Sequence, residues 1–394
     1  MSPHSRRIPA DLGPNRLAEA RARHGRIAFD LTVSNPTLCG LPSPPGLLDG
    51  LADPRGLDYL PDPKGPEPAR TAVAATYRDL GAAVDPGRVV LTASTSEAYS
   101  FLFKLLADPG DTVLVPSPSY PLFEHLARLD GLRLESYGLE PDAGWRPDLS
   151  ELEAAPERTR AVIVVHPNNP TGSYVHPDDA RALAALCRER GWALIADEVF
   201  LPYPLDGGPG SDASFAAVDG CLCFALGGLS KSVGLPQIKL AWIVVAGEAA
   251  EAAVALEGLE YVADAYLSVS TPAALAAPEI MARGAAVRTA IANRCRANLE
   301  ALRGLAAAVP AVSVLKVGGG WSAVLRVPAL TDDETLCLHL LESESVAVLP
   351  GAWFDFPRRG FLVLSLLPEV GLFAEGCRRL LQAVAAGLGE GRTP

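Results

Sequence analysis

A chain of 394 residues with 49% hydrophobic and 20% charged residues is long enough for one large domain and a smaller one, each with a buried core. Its 46 acidic against 34 basic residues leave a net charge of −12, with no Lys/Arg run that could follow a phosphate backbone, so nucleic acid is excluded as a partner. Seven scattered cysteines, with no CxxC and no histidine at ligand spacing, predict reduced thiols and no metal site. No apolar run reaches the about 20 residues of a membrane span, and the chain reads as cytoplasmic.

Residues 1–45 are Pro-rich and irregular, and are expected to form an arm and part of the small domain. From Arg88 to Gly247, short β-rich runs alternate with helical patterns: Val89–Thr92, Thr112–Val115, Leu134–Tyr137, Ala161–Val165, Ala193–Ala196, Cys221–Ala225 and Leu240–Val245. This alternation predicts an α/β fold, a mainly parallel seven-stranded sheet flanked by helices, in a large domain spanning 46–275. The continuous apolar runs fit strands buried on both faces. Glu248 to about Arg303 reads as long helices leading into a smaller α+β domain, 276–394. Strands at Ser322–Val327 and Phe361–Leu366 and a last helix, Leu372–Leu388, are expected there.

Ligands of open parallel sheets bind beyond the carboxyl ends of the strands, so the residues just after each run carry the functional information. Thr92-Ala-Ser-Thr-Ser-Glu-Ala98 runs from a strand into a helix, where free amides and the hydroxyls of Thr95 and Ser96 make an anion site, or where Ser94 or Thr95 simply caps the helix. In Ser117-Pro-Ser-Tyr120-Pro an aromatic ring follows a strand and can stack on a flat heteroaromatic group. His166-Pro-Asn-Asn-Pro-Thr-Gly172 sets the amides of Asn168 and Asn169 in a turn. Asp197-Glu198 puts a carboxylate after a buried run, where it needs a cationic or donor partner such as a protonated pyridine nitrogen. Leu229-Ser-Lys231-Ser-Val-Gly places a lysine at the same sheet edge. An amine there, partly desolvated and near a second cation such as Lys239, loses its proton readily and becomes a nucleophile.

Asn169-Pro-Thr-Gly, Asp197-Glu198 and Ser230-Lys231-x-x-Gly234, in this order, resemble the class I/II aminotransferase family of fold type I pyridoxal-phosphate (PLP) enzymes. Tyr59 and Gly65 in Tyr-Leu-Pro-Asp-Pro-Lys-Gly, Pro350-Gly351 and the tail Gly360-Phe-Leu-Val-Leu-Ser365 extend the resemblance over nearly the whole chain. It implies an aminotransferase moving an amino group between an amino acid and a 2-oxo acid. Lys231 is then the Schiff-base lysine and proton carrier, Asp197 the partner of the pyridinium nitrogen, Asn169 the donor to the ring oxygen and Tyr120 the stacking ring. Thr95, Ser96 and Lys239 would hold the phosphate, with Tyr59 reaching it from a partner subunit, which implies a homodimer.

Four positions depart from the family pattern. Phe200 stands where a tyrosine usually donates to the ring oxygen, with Tyr203 as a nearby substitute; Gly228 replaces a serine, and Lys239 replaces a two-pronged arginine. Val363 occupies the place of the arginine that clamps the substrate carboxylate. Arg326, Arg358 and Arg359 are the alternatives nearest in sequence, and Asn35 and Trp321 are candidate substrate-binding walls. The loss of the clamp leaves open a second PLP chemistry: elimination or replacement, decarboxylation or oxidation in a specialised biosynthetic pathway.

Overall fold

Runs that are apolar at every position become strands covered on both faces, and their alternate residues divide between two cores. The computed structural model describes residues 4–206, 213–267 and 269–390. Within these, β1 (Val89–Thr92), β2 (Thr112–Ser117), β3 (Arg133–Glu140), β4 (Arg146–Pro147), β5 (Thr159–Val165), β6 (Ala193–Asp197), β7 (Cys223–Gly228) and β8 (Ala241–Ala246) form one sheet, ordered β1-β8-β7-β6-β5-β2-β3-β4. The pairs β3/β2, β2/β5, β5/β6 and β6/β7 are parallel, whereas β8 runs antiparallel to both neighbours. All seven expected strands are present. The eighth, β4, is only Arg146 and Pro147 paired to the end of β3, too short to leave a pattern in the sequence.

On one face Ile163, Ile195 and Phe224 pack with Ala98, Phe101 and Leu102 of the helix Thr95–Leu106 and with Leu259 of the helix Ala249–Tyr266. On the other face Val162, Val164 and Leu194 pack with Leu183 of the helix Pro177–Arg190. The helices Thr271–Arg283 and Ala285–Ala306 then lead to a small antiparallel sheet of β9 (Ser313–Val314), β10 (Ser322–Arg326), β11 (Leu349–Pro350) and β12 (Phe361–Ser365), in the order β9-β10-β12-β11. The helix Val370–Glu390 closes the chain's described part, burying Phe373, Cys377 and Leu380 beside Leu362 and Leu364.

The N-terminal segment holds more structure than its prolines predict. Asn15 caps a helix, Arg16–His24, through its side-chain oxygen, and Phe29–Asp30 pairs in parallel with Val346–Ala347. The Ser365 N–H also bonds the carbonyl of Leu31, so this segment is stitched to the small sheet by long-range contacts that no local pattern announces.

Candidate active site

The parallel strands β2, β5, β6 and β7 end at one edge of the sheet, and the reversed β8 begins there. Pairing of Thr92 with Ala241 sets Lys239, just before β8, beside the turn that follows β1. Pairing of Asp197 with Leu226 brings the end of β6 next to the turn carrying Lys231. Topology alone therefore gathers Thr95, Ser96, Tyr120, Asn169, Asp197, Lys231 and Lys239 at a single edge.

At the first turn, Ser94 accepts the Glu97 N–H at 3.1 Å and Glu97 accepts the Ala93 N–H at 2.6 Å, a reciprocal cap. Ser94 is thus the capping residue. Thr95 and Ser96 make no side-chain hydrogen bond within the described residues and stay free at the helix N-terminus, where dipole and amides favour an anion. Lys239 has an exposed side chain and a left-handed backbone (φ 59°).

The same helix supplies a residue that the sequence did not single out. The buried Tyr99 donates its hydroxyl to Asp197 Oδ2 at 3.0 Å, and its ring packs edge-on to Phe123. Tyr99 reads as one more apolar position of an amphipathic helix, so only its phenol oxygen set it apart. Burial pushes the Asp197 carboxyl up from its ordinary value, against the Val199 N–H, the Tyr99 hydroxyl and the charge of Lys231. Its neighbour Glu198 faces elsewhere: it accepts from Ser214 Oγ at 2.7 Å and Phe215 N–H at 2.6 Å, and burial raises it to about 8. The acidic pair thus splits into a loop anchor and a carboxylate free for a cation.

Lys231 lies in the helical turn Leu229–Ser232, with its Nζ 5.2 Å from the ring centroid of Trp321 and 5.7 Å from that of Phe200. Burial lowers its pKa, opposed by Asp197, so the neutral amine is available at lower pH than for an exposed lysine. Tyr203, fully buried, donates its hydroxyl to the Lys231 carbonyl at 2.5 Å. It holds the backbone under the lysine, and the hydroxyl that the sequence offered as a stand-in at Phe200 is spent there.

The heptapeptide divides its amides between two tasks. Asn168 is buried and donates to Pro118 O and Thr171 Oγ1 while accepting from Ser119 Oγ, tying the Tyr120 loop to this one. Asn169 accepts from Ser322 Oγ at 3.2 Å, which leaves its Nδ2 as a donor. His166, pushed down to about 4 by burial, is a neutral packing residue. Gly172 has φ 68°, and a Cβ there would meet Gly319 O at 2.7 Å. Backbone lies on backbone at this point, which accounts for both the terminal glycine of the motif and the Gly318-Gly-Gly run. That run delivers Trp321 to the site, buried against Phe200 and Tyr203 at 5.3 and 5.1 Å. Tyr120 is 46% exposed at the rim.

The substrate-side expectations fare differently. Asn35 is exposed, and its oxygen caps a local turn by accepting from Thr37 N and Oγ1. Val363, 2% exposed, sits in an apolar cluster with Val324, Phe354 and Phe361. Arg326 is exposed at the far end of β10 opposite Phe361, Arg358 is exposed within 3.9 Å of Asp142, and Arg359 is exposed. All three are exposed, whereas the clamp position itself, Val363, is buried.

The residues at this edge leave a half-buried carboxylate facing the lysine amine, a desolvated amine, free hydroxyls at a helix N-terminus and an indole N–H without an acceptor. Pyridoxal phosphate carries the matching groups: a basic ring nitrogen, an aldehyde, a phosphate and a ring oxygen. The fit is therefore good on the chemistry of the donor set.

Comparison with known proteins agrees. The family described as Aminotransferase class I and II matches residues 45–370. An alanine aminotransferase of Mycobacterium bovis is 29% identical over 93% of this chain and 88% of its own length. A capreomycidine synthase of Streptomyces vinaceus is 32% identical over 82% of this chain and 85% of its own. Among solved structures, an aminotransferase from Escherichia coli superposes with a TM-score of 0.83 at 25% identity, covering 97% of this chain and 98% of the other.

Proposed function

Since the chain belongs to the class I and II aminotransferase family and is a PLP-dependent aminotransferase, we propose that Lys231 is the amine that tethers the cofactor and Asp197 the carboxylate that keeps its ring nitrogen protonated. The observation that carries this reading is the Tyr99–Asp197 bond beside the desolvated Lys231. When bound, pyridoxal phosphate supplies the sink for the electron pair left at the substrate Cα. With the cofactor bound, Lys231 Nζ would take up the substrate Cα proton as a neutral base. Thr95, Ser96 and Lys239 grip the phosphate, Tyr120 covers the ring face, Asn169 donates through Nδ2 and Trp321 walls the pocket. Asn35 would contact substrate through its Nδ2, since its oxygen is held by Thr37.

We also propose a homodimer in which Tyr59 completes the partner's phosphate site. Tyr59 is 63% exposed and lies with the exposed Leu57 and Leu60 on one surface segment. The Lys64–Glu260 pair at 2.9 Å joins this segment to the helix bearing the exposed Tyr261, giving an apolar surface of the kind that partners cover. Tyr59→Ala and Lys231→Ala subunits, each crippled alone, should regain activity when unfolded and refolded together, because mixed dimers contain one intact site. An inactive mixture, or a fully active monomer, contradicts this.

The donor is an amino acid whose carboxylate is held without a clamp from β12, and the native enzyme should be weak and unsaturated with alanine or aspartate while preferring a larger donor. The test is kcat/KM over a donor panel, with the 2-oxo acid counted in a single turnover and no ammonia released. In Val363→Arg a guanidinium enters the Val324–Phe354–Phe361 cluster with no acid partner, at a cost on the order of 3–5 kcal/mol. Thermal stability should fall with no gain toward either small donor. Efficient native turnover of alanine, or a stable Val363→Arg enzyme improved toward it, overturns the reading.

A further inference from the structure

Phe200 has no hydroxyl to donate, and the ring packed edge-on against it is that of Trp321. Trp321 is 3% exposed, yet its indole Nε1 has no hydrogen-bond partner. A buried N–H without an acceptor is costly and uncommon in folded proteins. The ring is held firmly in place. The Gly320 N–H bonds Tyr203 O at 2.9 Å, the Leu366 N–H bonds Trp321 O at 2.7 Å, and Phe200 and Tyr203 pack edge-on against the indole. Next to it in the chain, Ser322 donates to Asn169 at 3.2 Å, which ties the backbone that carries Trp321 to the loop of the amide assigned to the cofactor's ring oxygen. Lys231 Nζ lies 5.2 Å from the indole centroid, so a group tethered to that amine is brought against Trp321.

We propose that the indole N–H of Trp321 donates to the ring oxygen of the bound cofactor, in place of the hydroxyl that Phe200 lacks. This rests on the reading of Lys231 as the tether. The buried phenol hydroxyls of Tyr203 and Tyr99 are committed, the first to the Lys231 carbonyl and the second to Asp197. A phenylalanine beside a tryptophan thus replaces a tyrosine by moving the donor from one ring to its neighbour.

The consequence is spectroscopic. When the tethering nitrogen is protonated it shares the charge of the ring oxygen; when it is deprotonated, that oxygen depends on external donors. Removing a donor therefore raises the pKa read from the cofactor's visible band. Trp321→Phe, which keeps an aromatic ring against Phe200 and Tyr203, should raise that midpoint by about one unit, and Phe200→Tyr should lower it. In the double variant the Trp321→Phe shift should shrink, since the two donors serve one oxygen. Asp197, Tyr99, Tyr120 and Lys239, the other titratable or charged groups assigned to this edge, are left unchanged in all three variants. Independently, the Trp321 indole proton of the native protein should move downfield in the NMR spectrum when cofactor is added.

An unmoved midpoint in Trp321→Phe together with an unmoved indole resonance overturns the proposal. So does a raised KM for the amine donor with the band unmoved, which would put the indole on the substrate carboxylate. Borohydride labelling of the same samples separates the two levels of the argument: a label on Lys231 with a silent Trp321 sinks only this inference, whereas a label on a different lysine sinks the tether itself.

Discussion

Lys231→Ala should reduce turnover by at least about a thousandfold while the protein still takes up pyridoxal phosphate. Two losses combine. The tether goes, and so does the only lysine amine held over the Phe200 and Trp321 rings among the described residues. Proton transfer by a positioned base contributes about 10²–10⁴ on its own. Cofactor binding survives because the phosphate grip, the ring nitrogen partner and the stacking ring belong to other strands: Thr95 and Ser96 after β1, Tyr120 after β2, Asp197 at the end of β6. Equilibrium dialysis and activity of the same preparation check both halves. A variant that keeps a tenth of native turnover would remove Lys231 from the chemistry.

Asp197→Asn should have the next largest effect. Burial pushes this carboxyl up, and Tyr99 and the Val199 N–H act to keep it ionised. A cationic ring nitrogen completes the stabilisation, since an opposite charge favours the ionised form. The amide offers neither charge nor a reason for the ring to stay protonated. Leaving one member of a buried pair uncompensated costs about 3–5 kcal/mol, or roughly a hundred- to a few thousandfold in kcat. The loss should fall on kcat more than on KM, and cofactor affinity should drop. The sign for pH follows: protonating Asp197 mimics the substitution, so acidification toward its raised pKa should release cofactor, and Asp197→Asn should flatten that acid limb. Tyr99→Phe should shift the limb to higher pH, because it removes a bond to the ionised form. An acid limb that is unchanged in Asp197→Asn would mean that another group controls release.

Much of this was legible because the informative residues follow buried strands. The runs Ala161–Val165 and Ala193–Ala196 are apolar at every position, so their ends, and hence Asn169 and Asp197, could be located from sequence. Lys231 and Lys239 were legible for the same reason, flanking β7 and β8. What escaped was carried by contacts across long sequence separations. Tyr99 looked like a core residue until its hydroxyl met Asp197, Tyr203 looked like a spare donor until it met the Lys231 carbonyl, and Phe29–Asp30 found a strand partner near the other end of the chain. The strand pattern alone could not say which of two adjacent amides or acids faces the site, and only the family resemblance chose Asn169 and Asp197. Asn168 and Glu198 are satisfied within the protein, and Asn169 and Asp197 are the members left with something to offer.

The most direct measurement is borohydride reduction of the protein loaded with pyridoxal phosphate, followed by peptide mapping. The account predicts one modified peptide, carrying the label on Lys231, which disappears in Lys231→Ala although cofactor remains bound. A label on Lys239, or on any lysine other than Lys231, would contradict it.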